Sequence, residues 1–149
     1  PMQISEKLFK EQIETIKRIT GGFSFQDPFL TIFFNNIQVA ILAFLLSFIY
    51  GFGGVLVISW NATILGIAIG MLTKSYGIQY YPLALSTFLP HGIFEFFAFL
   101  IAAISGSIIS SYYYKKNNKL IKDSILLLLF SIFLIFIGAI IETIIIASK

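Results

Sequence analysis

His91 is the one histidine in this chain of 149 residues, and Glu95 follows it four positions later. Both belong to the stretch Leu89-Pro90-His91-Gly92-Ile93-Phe94-Glu95, inside an apolar run over residues 80–114. Ionisable groups in such a run are costly and face a bundle interior or a water-filled cavity. On a helix, an imidazole and a carboxylate at this spacing stand one turn apart on one face. A pair so placed could relay protons, hold a small polar cargo or supply two ligands to a metal. Two ligands are too few for zinc without a third from another helix. No His-Glu-x-x-His, Gly-x-Ser-x-Gly or phosphate-loop pattern occurs, so no catalytic residue, metal or cofactor is assigned. The plainer alternative is a structural lock, in which buried Asn, His and Glu satisfy one another. Asn35, Asn36, Asn61 and Glu142 are the further polar groups in apolar stretches that could join either arrangement.

The elements that must position these groups are transmembrane helices. The chain is 58% hydrophobic and 11% charged, with a mean hydropathy of +0.93. Soluble domains average roughly 45–50% apolar and about 25% charged residues. A soluble domain of this length could not bury so much apolar surface. The expected fold is therefore all-α, a polytopic transmembrane helical bundle with the lipid bilayer as its surroundings. The net charge of +3 is modest, and the basic residues cluster in loops and at the ends. That is a membrane-flank pattern with no nucleic-acid stripe. There is no cysteine, which excludes disulfides and thiolate metal sites. Pro1 ahead of Met2 reads as an appended residue, with either Met2 as the natural start or the chain as a fragment of a longer protein.

Residues 1–28 are expected to form an amphipathic interfacial helix and a linker. Ile4, Leu8, Phe9, Ile13, Ile16 and Ile19 fall on one face over residues 5–20, with charged residues opposite. The bundle then occupies 29–149. Apolar helices are expected over about 29–50, 55–72, 90–112 and 123–147, with a short one over 82–88. Gly66 and Gly70 repeat at the spacing that lets helices approach closely, and Gly106 is a third small packing position. Pro90 restricts Leu89 away from helical geometry, so the spacing predicts a proline-broken or re-entrant segment before a helix that starts at Pro90. Charge favours the re-entrant form. Four simple crossings separate Lys74 from Lys115, Lys116, Lys119 and Lys122, against the positive-inside expectation. A dip over 82–88 gathers every basic residue except Lys149 on one side.

Three elements together resemble the stage II sporulation protein M (SpoIIM) family. They are Asn35-Asn36 before an apolar helix, Trp60-Asn61 with Leu65-Gly66, and the intact Leu89-Pro90-His91-Gly92-Ile93-Phe94-Glu95 block. Gly106 fits as well, and the likeness covers about residues 35–109. Ala62 stands where family members often carry Gly. The resemblance implies a polytopic helical membrane protein. It also implies Asn35, Asn36, Asn61, Pro90, His91, Gly92 and Glu95 as a motif-bearing polar core, with Glu142 as an addition. The founding member works with peptidoglycan hydrolases during engulfment, as a membrane scaffold, but relatives are widespread in organisms that do not sporulate. The expected function is a non-enzymatic scaffold or assembly subunit of the cell membrane, partnered by copies of itself or by other membrane proteins. The alternative is a permease or channel-like module in which His91 and Glu95 line a polar path. An intramembrane hydrolase ranks third, because no nucleophile is visible.

Overall fold

The computed structural model describes residues 27–147. Four long helices fill it: α1 Pro28–Tyr50, α2 Gly54–Tyr76, α3 Tyr81–Lys115 and α4 Asn118–Ala147, with a 3-10 turn, Ile78–Tyr80, before α3. Each is apolar and long enough to cross a bilayer. The expected amphipathic helix over residues 5–20 lies outside the described residues.

Local chemistry sets the helix ends. Asp27 caps α1 by accepting the Phe29 N–H at 2.8 Å, and Pro28 takes a first-turn position where its missing N–H has no helical partner to lose. Gly51, at φ 76°, turns the chain out of α1. The first N–H of α2, on Gly54, is satisfied across the turn by the Ser47 hydroxyl at 2.9 Å. The connection from α3 to α4 is Lys116-Asn117, in which Lys116 adopts the left-handed conformation at φ 46°. Asn117 then caps α4 by accepting the Lys119 N–H at 3.0 Å.

In lipid, helices gain little from hiding apolar groups from one another, so association rests on close packing and interhelical hydrogen bonds. The core of α1, α3 and α4 is built for this. Ala40 and Ala43 of α1 meet Ala98, Ala102 and Ala103 of α3, and Ile135 and Ala139 of α4 are fully buried. A Cβ on Gly106 would fall on the Phe44 carbonyl, so α1 and α3 touch there backbone to backbone. Buried serines add the polar links. Ser131 of α4 donates to the Ala98 carbonyl of α3 at 2.8 Å. Ser105 and Ser124 each donate to the other's backbone carbonyl, at 2.7 and 3.0 Å, which brings their hydroxyl oxygens to 2.9 Å. Ser107 of α3 donates to the Gly51 carbonyl in the α1–α2 turn. Phe29 and Phe33 pack edge-on against Phe136 at the far end of α1 and α4.

α2 differs. Its first turns are clamped, with Gly53 against Leu46, and Gly54 against Ala43, Ser47 and Ala103. Past Val57 none of its described side chains is buried. Gly66 and Gly70 were expected to bring helices together, but a Cβ on either would meet open space. This corrects their assignment as packing positions within the chain. The reason is that they face away from the bundle, while Asn61, Leu65 and Ala68 face α3.

A second correction concerns Pro90. The helix does not break there; α3 runs through it for 35 residues. Pro90 removes one backbone donor, that which would reach the Ser86 carbonyl, and one lost bond does not end a helix embedded in a packed bundle. A continuous helix cannot double back, which rules out the re-entrant arrangement. α3 spans about 52 Å at the helical rise, against a hydrocarbon core of about 30 Å. Its apolar crossing is Phe88–Tyr112, so the first turns of α3 precede the crossing. The helix also extends beyond expected limits elsewhere: α2 reaches Tyr76 and α4 starts at Asn118. Four crossings set Lys74 and Lys119 on opposite faces. The sequence has no native cysteine, so single cysteines at these positions should label from opposite sides of sealed vesicles. Same-side labelling would contradict the four-crossing arrangement.

Candidate functional site

The expected polar residues converge from four helices, and each helix contributes by a local feature. α1 brings Asn36, whose amide Nδ2 donates to Glu95 Oε1 on α3. α4 brings Gly138, and a Cβ there would lie 3.4 Å from Glu95 Cγ and 3.6 Å from the His91 carbonyl oxygen. These are ordinary van der Waals distances, so α4 packs directly against the carboxylate arm at Gly138. One turn further along α4 stands Glu142, on the face that Gly138 turns toward Glu95. His91 is 7% exposed and lies edge-on to Phe88, ring centroids 6.1 Å apart. α2 brings Asn61, half-buried at the level of Glu95.

Asn61, His91 and Glu95 share a cleft of about 220 Å³ between α2 and α3. Its remaining wall is apolar, from Ile58, Leu65, Phe88, Phe96 and Phe99 among others. Gly92 lines it too, and a Cβ on Gly92 would point into open space. The cleft exists because α2 is held at one end. Small residues bring α2 onto α3 at Gly54 and Ala103, while the larger Phe88, Phe96 and Phe99 stand against it further along.

The structure therefore places Asn61, His91 and Glu95 on one cleft and bonds Asn36 to Glu95, with Glu142 one turn of α4 beyond Gly138. Asn35 is half-buried on α1 and does not line the cleft. Pro90 is exposed on the outer side of α3. Gly106 lies away from the cluster, at the α1–α3 contact. Among the described residues no three His, Asp or Glu side chains are grouped to hold a metal ion. Sequence reasoning missed Gly138, whose value lies only in what faces it. It also missed the buried serines Ser47, Ser105, Ser124 and Ser131, although a hydroxyl inside an apolar run is itself a signal of an interhelical contact.

What the arrangement can do chemically follows from its dielectric. A carboxylate in an apolar bundle accepts one amide hydrogen bond and carries a second carboxylate nearby. It can hold a proton, pair with a cation or bind a polar solute, and Asn36 fixes its orientation in each case.

Residues 3–145 match the family model described as Stage II sporulation protein M. No curated protein matches the chain, and neither does any solved structure.

The Asn36–Glu95 bond is measurable. In a double-mutant cycle of Asn36→Ala and Glu95→Ala, unfolding from bicelles should show a coupling of about 0.6–2 kcal/mol. Additivity within about 0.3–0.5 kcal/mol would mean the pair carries no shared energy.

Proposed function

Since the chain belongs to the stage II sporulation protein M family, with the match running through all four helices, we propose that it is a non-enzymatic subunit of a cell-membrane assembly made with copies of itself. The observation behind this reading is the state of α2. Three helices are tied together by small residues and serine hydrogen bonds, whereas α2 is clamped only at its start. Trp60 is 62% exposed, and Ser59, Thr63, Gly66 and Gly70 form an uncovered face of small residues. Lipid chains pack such a face poorly, and another helix can approach it closely. The Asn36–Glu95 bond and the polar groups around it then serve to hold the bundle in the shape that presents α2.

Gly66 offers a clean test, because the chain itself leaves space there. Gly66→Leu should leave thermal stability within about 0.5 kcal/mol while lowering the oligomeric fraction in bilayers, counted by single-molecule photobleaching. A chain that is monomeric at every density, or a variant that assembles as well as the original, would defeat the proposal.

The cleft supports a second reading, a permease-like module in which His91 and Glu95 line a polar path. In this case the purified chain should carry a solute across liposome membranes and Glu95→Gln should stop it. Absence of flux from the unaltered protein rules this reading out.

A further inference from the structure

We propose that the cleft between α2 and α3 binds an organic ammonium ion carrying an apolar group, with Glu95 as its counter-charge. This names the ligand class of the cleft and rests on the second reading only for the cleft itself, not for passage across the membrane.

The sign comes from the charges. Glu95 lies about 10 Å inside the end of the apolar crossing that starts at Phe88. Glu142, the second acid, stands on α4 one turn beyond Gly138, which packs against Glu95. The lysines of the described helices, Lys74, Lys115, Lys119 and Lys122, lie near helix ends, and His91, which lines the cleft one turn from Glu95, adds no positive charge there in its neutral form. Two acids and an amide in an apolar bundle favour a positive guest and repel an anion.

The lining then selects the kind of cation. Inorganic cations such as calcium need six to eight oxygen ligands. Here Glu95 and Asn61 are the side chains of the cleft that carry oxygen, and no metal-ligand group exists among the described residues. A primary ammonium has three donors and can divide them between the Glu95 carboxylate and the Asn61 amide oxygen. The rest of the wall suits it too. Phe88, Phe96 and Phe99 bring aromatic rings to the cleft, where a cation gains from their faces. Ile58 and Leu65 suit an attached hydrocarbon group. Gly92 keeps the α3 side free of a side chain, which leaves room at the carboxylate. Asn36, by occupying Oε1, holds the carboxylate in one orientation.

The test uses the full chain in maltoside micelles, which contain no ammonium group. Calorimetry with 3-phenylpropylammonium should show binding at least tenfold tighter than with the neutral isostere 3-phenylpropanol. Glu95→Gln should abolish that preference. Ala68→Phe, which fills the cleft two turns of α2 from Asn61, should weaken the ammonium at least tenfold and leave the melting temperature unchanged. It keeps the experiment decisive should Glu95→Gln fail to fold. Equal binding of ammonium and alcohol, a preference that survives Glu95→Gln, or full affinity in a folded Ala68→Phe protein would overturn the site. Phosphatidylethanolamine added to the micelles assigns the source. Displacement of the amine points to a lipid headgroup, its retention to a free solute, and both uphold an ammonium site. Binding without liposome flux would end the permease reading and leave this site standing.

Discussion

A bilayer supplies no water to an exposed carbonyl, hydroxyl or carboxylate, so every polar group in the crossing helices must find its partner within the protein. The bundle depends on this constraint more than on any apolar contact. Where α1, α3 and α4 meet, alanine and glycine bring backbones together, and serine hydroxyls reach carbonyls that only close approach makes available. The pairing of Ser105 with Ser124 is possible because neither position is bulky. The same rule governs Glu95. Its carboxylate is tolerable because Asn36 crosses from α1 to meet it.

The two halves of the molecule obey this rule differently. In the three-helix core, small residues alternate with hydroxyls and leave little space. Along α2, the same small residues point outward and larger aromatic residues of α3 stand between the helices. A tight end at Gly53-Gly54 and an open length beyond it give α2 its separate character. The cleft and the uncovered face are two sides of that one helix. The assembly and ligand readings therefore concern opposite surfaces of α2, and they do not compete for the same residues.

Much of this was legible in the sequence. Composition and apolar run length are enough to identify a helical membrane bundle, because the bilayer imposes both. His91, Glu95, Asn36 and Asn61 were visible as cluster members, since polar groups in apolar runs stand out at once. Partnership was less visible. That Asn36 meets Glu95, whereas Asn35 does not line the cleft, depends on helix rotation, which the neighbouring helices set. Gly66 and Gly70 matched a packing motif, yet a motif states only that close approach is allowed. Which side of α2 faces the bundle was decided by Asn61, Leu65 and Ala68. Pro90 misled for a related reason. Its local preference for ending a helix is real, but a bilayer penalises an open backbone more than it penalises one missing bond. The charge pattern misled with it, because a bias in lysine placement cannot bend a continuous helix.

The two-residue link Lys116-Asn117 has a consequence for how the protein enters the membrane. α3 and α4 run side by side from that link and carry reciprocal serine bonds two to three turns along. Such a pair can insert as a helical hairpin, with its backbone already satisfied and its serines already matched. Lys115, Lys116, Lys119 and Lys122 surround the tip of that hairpin, so charge gathers where two helices must share one fate during biogenesis. The orientation of one fixes the orientation of the other, so a single choice sets two of the four crossings.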